Sequence, residues 1–160
     1  MITKEGASQG SDAVTGHYIW PALRERPNAV SLRFILLLHS FRFLGLAFVV
    51  PGVVSPELPA AFARPVAYGD FIIAILALLA LAALGTILIW AFNTFGLADL
   101  LFAFYQGSRV SLPDTPGLLG AAYFILAAYV PLLFITHGLT LRILLRTERR
   151  VSVRSTLSAA

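Results

Sequence analysis

The 37 residues from Phe71 to Gly107 carry one ionisable side chain before Tyr105, and it is Asp99. A bilayer core of about 30 Å is crossed by ~20 helical residues. This stretch is too long for one ordinary crossing and just long enough for two joined by a tight turn. Gly85 followed by Thr86 is the best place for that turn. The choice between one crossing and two decides whether Asn93 and Asp99 lie inside the bilayer or on its surface.

The rest of the chain fits a membrane protein. Hydrophobic residues make up 58% and charged residues 12%, about half the charged share of a soluble domain. There is no cysteine, so thiol chemistry is excluded. Neither an aromatic platform on a basic surface nor zinc-ligand spacing occurs, so nucleic acid is not an expected partner. Met1 to Ala29 is polar and has no apolar core beside a small-residue cleavage site. The first hydrophobic segment is therefore expected to stay as an anchor.

The expected organisation is all-α. A flexible cytoplasmic tail covers 1–30, a four-helix transmembrane bundle covers 31–146, and a basic cytoplasmic tail covers 147–160. In the first tail, Tyr18-Ile19-Trp20-Pro21 is apolar enough to touch an interface. The first span is read from Leu32 to Val50. Ser55-Pro56-Glu57 has a hydroxyl, a proline and a carboxylate in helix-start order. Pro65 disfavours helix at Arg64. Together these predict a short interfacial helix, with the second span starting near Gly69 or Asp70. There Asp70 would be a helix-start carboxylate. Ala74, Ala77, Ala80 and Ala83 give the second span a small-residue face for close packing. The third span is placed from Ile87 to Gln106 and the fourth from Leu118 to Leu141, kinked at Pro131.

Charge bias favours four spans over three. Lys4, Arg24, Arg26 and Arg33 precede the first span; Arg142, Arg146, Arg149, Arg150 and Arg154 follow the last. Basic flanks mark cytoplasmic segments, and two cytoplasmic ends require an even number of crossings. The expected location is a cell membrane crossed several times, with both ends cytoplasmic. Arg142, Arg146, Arg149 and Arg150 are spaced to hold anionic headgroups. Membrane lipid is the expected partner, with another membrane protein or a second copy of the chain as further possibilities.

With four spans, Arg42 and Asp99 reach similar depth on helices running the same way, and an intramembrane charge needs a partner. Arg42 is expected to pair with Asp99. His39 and Asn93 fall at a second common depth, and His137 lies in the inner part of the last span, behind Thr136. The plain reading of this cluster is a polar network that holds the bundle together. The functional reading is a proton, ion or small-molecule site. A third reading makes His39 and His137 axial ligands of a haem, since imidazole suits iron; otherwise no cofactor or metal is expected. No nucleophile–His–acid set is visible, and Gly117-Leu118-Leu119-Gly120 has no following lysine to make a phosphate loop. The expected function is a non-enzymatic accessory or interaction subunit. The alternative is a protein handling a proton, a small molecule or haem.

Three phrases then carry a resemblance. They are Phe62-Ala63-Arg64-Pro65-Val66-Ala67-Tyr68-Gly69-Asp70, Trp90 to Leu100 with Asn93 and Asp99, and Pro131-Leu132-Leu133 followed by His137 and Arg142. From Phe34 to Arg146 the chain resembles a group of small, uncharacterised bacterial multi-pass membrane proteins. Those have a Phe-Ala-x-Pro-Ala-Gly-x-Gly-Asp loop and a Trp-Asn-x-x-Gly-Leu-x-Asp-Leu helix. Here Ala91-Phe92 separates Trp90 from Asn93, and Val66-Ala67-Tyr68 replaces Pro-Ala-Gly. The resemblance implies a helical membrane fold with Pro65, Gly69, Asp70, Asn93 and Asp99 at motif positions. It implies no activity.

Overall fold

The structure, a computed structural model, describes residues 28–158, with side chains described for 30–146. The expected tail from Met1 to Pro27, with Tyr18 to Pro21, lies outside the described residues. The chain divides at Phe34–Ile35 into two compact units. In the first, the described residues are helical from Asn28; the account below concerns the second.

Four helical stretches are long and apolar enough to cross a membrane: Val30–Val49, Ala60–Ala83, Thr86–Arg109 and Ile125–Arg146. The split of the long apolar stretch falls where expected. Helix α2 (Ala60–Ala83) ends at Leu84, which takes a left-handed conformation with φ 47°, and α3 (Thr86–Arg109) begins after an extended Gly85. Large apolar side chains point outward along this pair. Ile72, Ile87, Phe95, Leu101 and Phe104 are all more than half exposed, while His39, Arg42, His137 and Thr140 are buried. That inversion of the water-soluble pattern is what a lipid solvent selects.

The first span changes character halfway. Helix α1 (Asn28–Ser40) gives way to a 3-10 helix, Phe41–Val49. A 3-10 helix has three residues per turn, so positions three apart eclipse one another. Its buried residues are Arg42, Gly45 and Phe48, one straight stripe. At the junction the Ser40 hydroxyl donates to Leu37 O at 2.7 Å, and the Tyr129 hydroxyl donates to Leu38 O at 2.7 Å. These side chains supply donors where the backbone step changes.

Helix α2 is central. It packs along both the 3-10 segment and α3, while α4 (Val130–Ser158) packs on α3. Ala74, Ala77 and Ala80 are buried on its inner face, as the small-residue spacing predicts; Ala83 is exposed. Little hydrophobic force acts between helices in lipid, so close packing must hold them.

Two expectations need correction. No separate interfacial helix forms: residues 56–58 make a turn, and α2 starts at Ala60 and runs through Pro65 into the second span. A proline inside a helix leaves the carbonyl four residues earlier without its backbone donor. That carbonyl, Ala61 O, instead accepts the Gln106 side-chain amide at 2.9 Å. Asp70 therefore lies well inside α2, not at its start. The fourth span also begins later than Leu118. Pro116–Ala122 is a 3-10 turn, and Ile125–Tyr129 is a π-helical turn. This wide turn directly precedes Pro131, and Val130 N donates to Ile125 O across it. The segment before it is tied to the first loop, with Ser55 N donating to Leu118 O at 2.9 Å and Ala121 N donating to Val53 O at 3.0 Å. Gly120 has φ 51°, and a Cβ there would sit 2.5 Å from Val53 O. Helix continues through residues 147–158 of the expected basic tail.

Candidate functional site

Most of the buried polar groups gather in one region of the bundle, contributed by all four spans. Arg42 projects from the first turn of the 3-10 segment. Its Nε donates to Asp70 Oδ1 at 2.7 Å, and its Nη2 lies 2.5 Å from both Asp70 Oδ1 and Asp99 Oδ2. Its Nη1 donates to Gly96 O at 3.2 Å. The Arg42–Asp99 pair is the one expected from depth. Asp70 joins it as a second carboxylate, which the reading as a helix-start residue had excluded. One cation thus faces two anions in the interior, where charge is costly unless paired.

The second layer is neutral in character. His137 Nδ1 is 3.0 Å from Asn93 Oδ1, and His39 Nε2 is 2.8 Å from Thr136 Oγ1. The Thr136 hydroxyl is itself a donor to the Leu132 and Leu133 carbonyls, so it accepts from His39. His39 Nδ1 and His137 Nε2 are buried with no hydrogen-bond partner among the described residues. A second N–H on either ring would be an unsatisfied interior donor. The two imidazoles meet at 4.3 Å between centroids, and Phe92 contacts His39 at 4.9 Å and His137 at 5.1 Å. Rings in direct contact leave no slot between them for an iron and its macrocycle, so the geometry lends the haem alternative no support.

Three glycines make this packing possible. A Cβ at Gly45 would collide with the Asp70 carboxylate, and one at Gly69 would collide with Asp99 Oδ1. One at Gly96 would sit 2.5 Å from His137 Cε1 and 2.7 Å from its Nε2. Each polar side chain lies over a glycine of a neighbouring helix. Gly45 and Gly96 were missed by reasoning from charged residues alone. The signal was present for Gly45, three residues after Arg42, but it reads as a face only once the segment is known to be 3-10.

A cavity of about 320 Å³ lies next to the ionic cluster. Phe48, Val66, Leu100, Phe104, Leu119 and Ile125 are among the residues that line it, and Asp70 is the one charged residue in its wall among the described residues. Its size is at the lower end of ligand pockets, ~300–1,000 Å³. Pro65 does not line it. Arg142 and Arg146 are exposed and line a groove with Gly138 and Leu145. Arg149 and Arg150 lie where only the helical backbone is described.

Residues 12–145 match the family described as Domain of unknown function (DUF8737). The chain belongs to that family. The match takes in all four candidate spans up to Leu145 and every member of the polar cluster. Neither the curated proteins nor the solved structures include a match to this DUF8737 chain.

Proposed function

We propose that this DUF8737 protein is a non-enzymatic, multi-pass protein of a bacterial inner membrane, with both ends of the bundle facing the cytoplasm, that holds a small and largely apolar molecule. The cavity beside Asp70 carries this reading. Ligand sites are typically apolar hollows with a few convergent polar groups, and here one wall residue belongs to the ionic cluster. The accessory-subunit reading needs the polar residues only to hold the bundle together. It gives no role to a hollow that one of them lines. Proton movement through Asp99 would need a wetted path to that residue, and the cavity adjoins Asp70 instead.

The test is a cavity-filling variant. Ala103 lines the hollow and is half-buried, and Ala103→Phe would occupy it. Native mass spectrometry of protein purified from membranes should show a small molecule bound to the wild type at about one per chain. The variant should lack it. Equal occupancy in both, or none in either, would remove the reading.

A further inference from the structure

The chemistry of the cavity narrows the ligand class, given the proposal that the cavity is a binding site. We infer that its occupant is a hydrophobic cation: a compact apolar body carrying one ammonium-type head, with that head against Asp70.

Three independent features converge on positive charge. First, Asp70 and Asp99 share a single arginine, so the ionic cluster holds one more carboxylate than it has cations. Both contacts from Arg42 to Asp70 go to Oδ1, which leaves Oδ2 outside the guanidinium's grip. Second, among the described residues no lysine, arginine or histidine lines the cavity. An anionic ligand would meet a carboxylate with no counter-charge in the wall. Third, four aromatic residues line the same space: Phe48, Phe62, Phe104 and Tyr123. Aromatic rings attract cations, and quaternary ammonium ligands are commonly held by them. A carboxylate with several rings around a small volume fits an ammonium better than a neutral lipid tail. Phe104 and Tyr123 are also more than half exposed, so the cavity's aromatic wall continues to the protein surface and gives the ligand an entrance.

The arrangement also explains why the second carboxylate is tolerated. With the cavity empty, two carboxylates have one guanidinium between them. With a cation in place, each anion has a partner. Occupancy and charge balance are then the same event.

The experiment compares two molecules of one shape. Benzyltrimethylammonium and neopentylbenzene differ by a nitrogen for a carbon and by one positive charge. Binding of each to purified protein in uncharged detergent is followed by equilibrium dialysis, with protein-free micelles as the partition blank. Wild-type protein should bind the ammonium at least tenfold more tightly than the hydrocarbon. Asp70→Asn keeps the shape and leaves Arg42 paired with Asp99, so it should fold. It should bring the two affinities to within threefold. Ala103→Phe should abolish binding of both. Equal binding of the two molecules by wild-type protein would overturn the cation assignment while leaving the cavity as a site. Failure of both to bind, or binding that Ala103→Phe leaves unchanged, would overturn the site itself. A preference for the ammonium that survives in Asp70→Asn would overturn the role given to that carboxylate.

Discussion

Replacing Arg42 with leucine should destabilise the bundle more than any other single change in the cluster. The substitution leaves two carboxylates that had shared one nitrogen. Asp70 Oδ1 and Asp99 Oδ2 each lie 2.5 Å from Arg42 Nη2. The two oxygens are therefore no more than about 5 Å apart, where two unit charges repel by about 3 kcal/mol at an effective dielectric of ~20. Breaking a buried pair by removing one partner costs about 3–5 kcal/mol. The upper end applies if both acids stay ionised, and the lower end if one takes up a proton. Asp70→Asn and Asp99→Asn behave differently. Each leaves one cation on one anion and forfeits part of a charge-assisted contact, about 1–2 kcal/mol. The decisive variant is the triple, Arg42→Leu with Asp70→Asn and Asp99→Asn. It buries no charge, and uncharged replacements of buried ion groups are often neutral or stabilising. It should recover at least about 2 kcal/mol relative to Arg42→Leu alone. A double variant of Arg42 and Asp99 only would mislead, because Asp70 would remain uncompensated. The assay is reversible denaturation in mixed micelles, followed by tryptophan fluorescence. A triple variant no more stable than Arg42→Leu, or losses that simply add, would refute the claim that the three residues act as one unit.

Other outcomes follow from individual contacts. Gly69→Ala drives a Cβ into Asp99 Oδ1 and should lose about 1–3 kcal/mol by overpacking, whereas Gly138→Ala, with nothing within 4 Å of its Cβ, should be neutral or slightly stabilising in the same denaturation assay. Gln106→Leu leaves Ala61 O without its side-chain donor and should lose about 1 kcal/mol; adding Pro65→Ala restores a backbone N–H to that carbonyl and should return most of the loss. Asn93→Leu takes away the acceptor of His137 and should lower stability by about 1–3 kcal/mol in the same denaturation assay. Reporter fusions at Gly85 and at the end of α4 should read cytoplasmic and one at Gly107 external; an external reading after α4 would refute the orientation proposed from the basic flanks.

The long apolar stretch and Gly85 made the four-span architecture readable, because length, hydropathy and a turn signal all agreed there. The Arg42–Asp99 pair was readable from depth alone, since an intramembrane charge must find a partner. Asp70 was misread for a local reason. Pro65 is a breaker when only the backbone is considered, and a span starting after it puts Asp70 at an end. The helix survives because Gln106, more than forty positions away, serves the carbonyl that the proline leaves free. No local pattern announces that contact. The sequence reading put His39 and His137 in one cluster, but their direct ring contact was not legible. The two residues are far apart in sequence, and their meeting depends on Phe92 and on the absence of a side chain at Gly96.

The 3-10 half of the first span also sets a length. A 3-10 helix rises about 2.0 Å per residue against 1.5 Å in an α-helix, so the nine residues Phe41–Val49 reach about 4–5 Å further than the same residues wound as α. The first crossing thus spans more membrane than its residue count suggests. Rewinding the segment to α would shorten it and turn Gly45 about 60° away from the line of Arg42, withdrawing the bare backbone on which Asp70 rests. Hydrophobic mismatch costs fractions of a kcal/mol per ångström, so a thicker bilayer favours the extended form and a thinner one opposes it. The grip of the arginine on its two carboxylates is in this way tied to the thickness of the membrane around it.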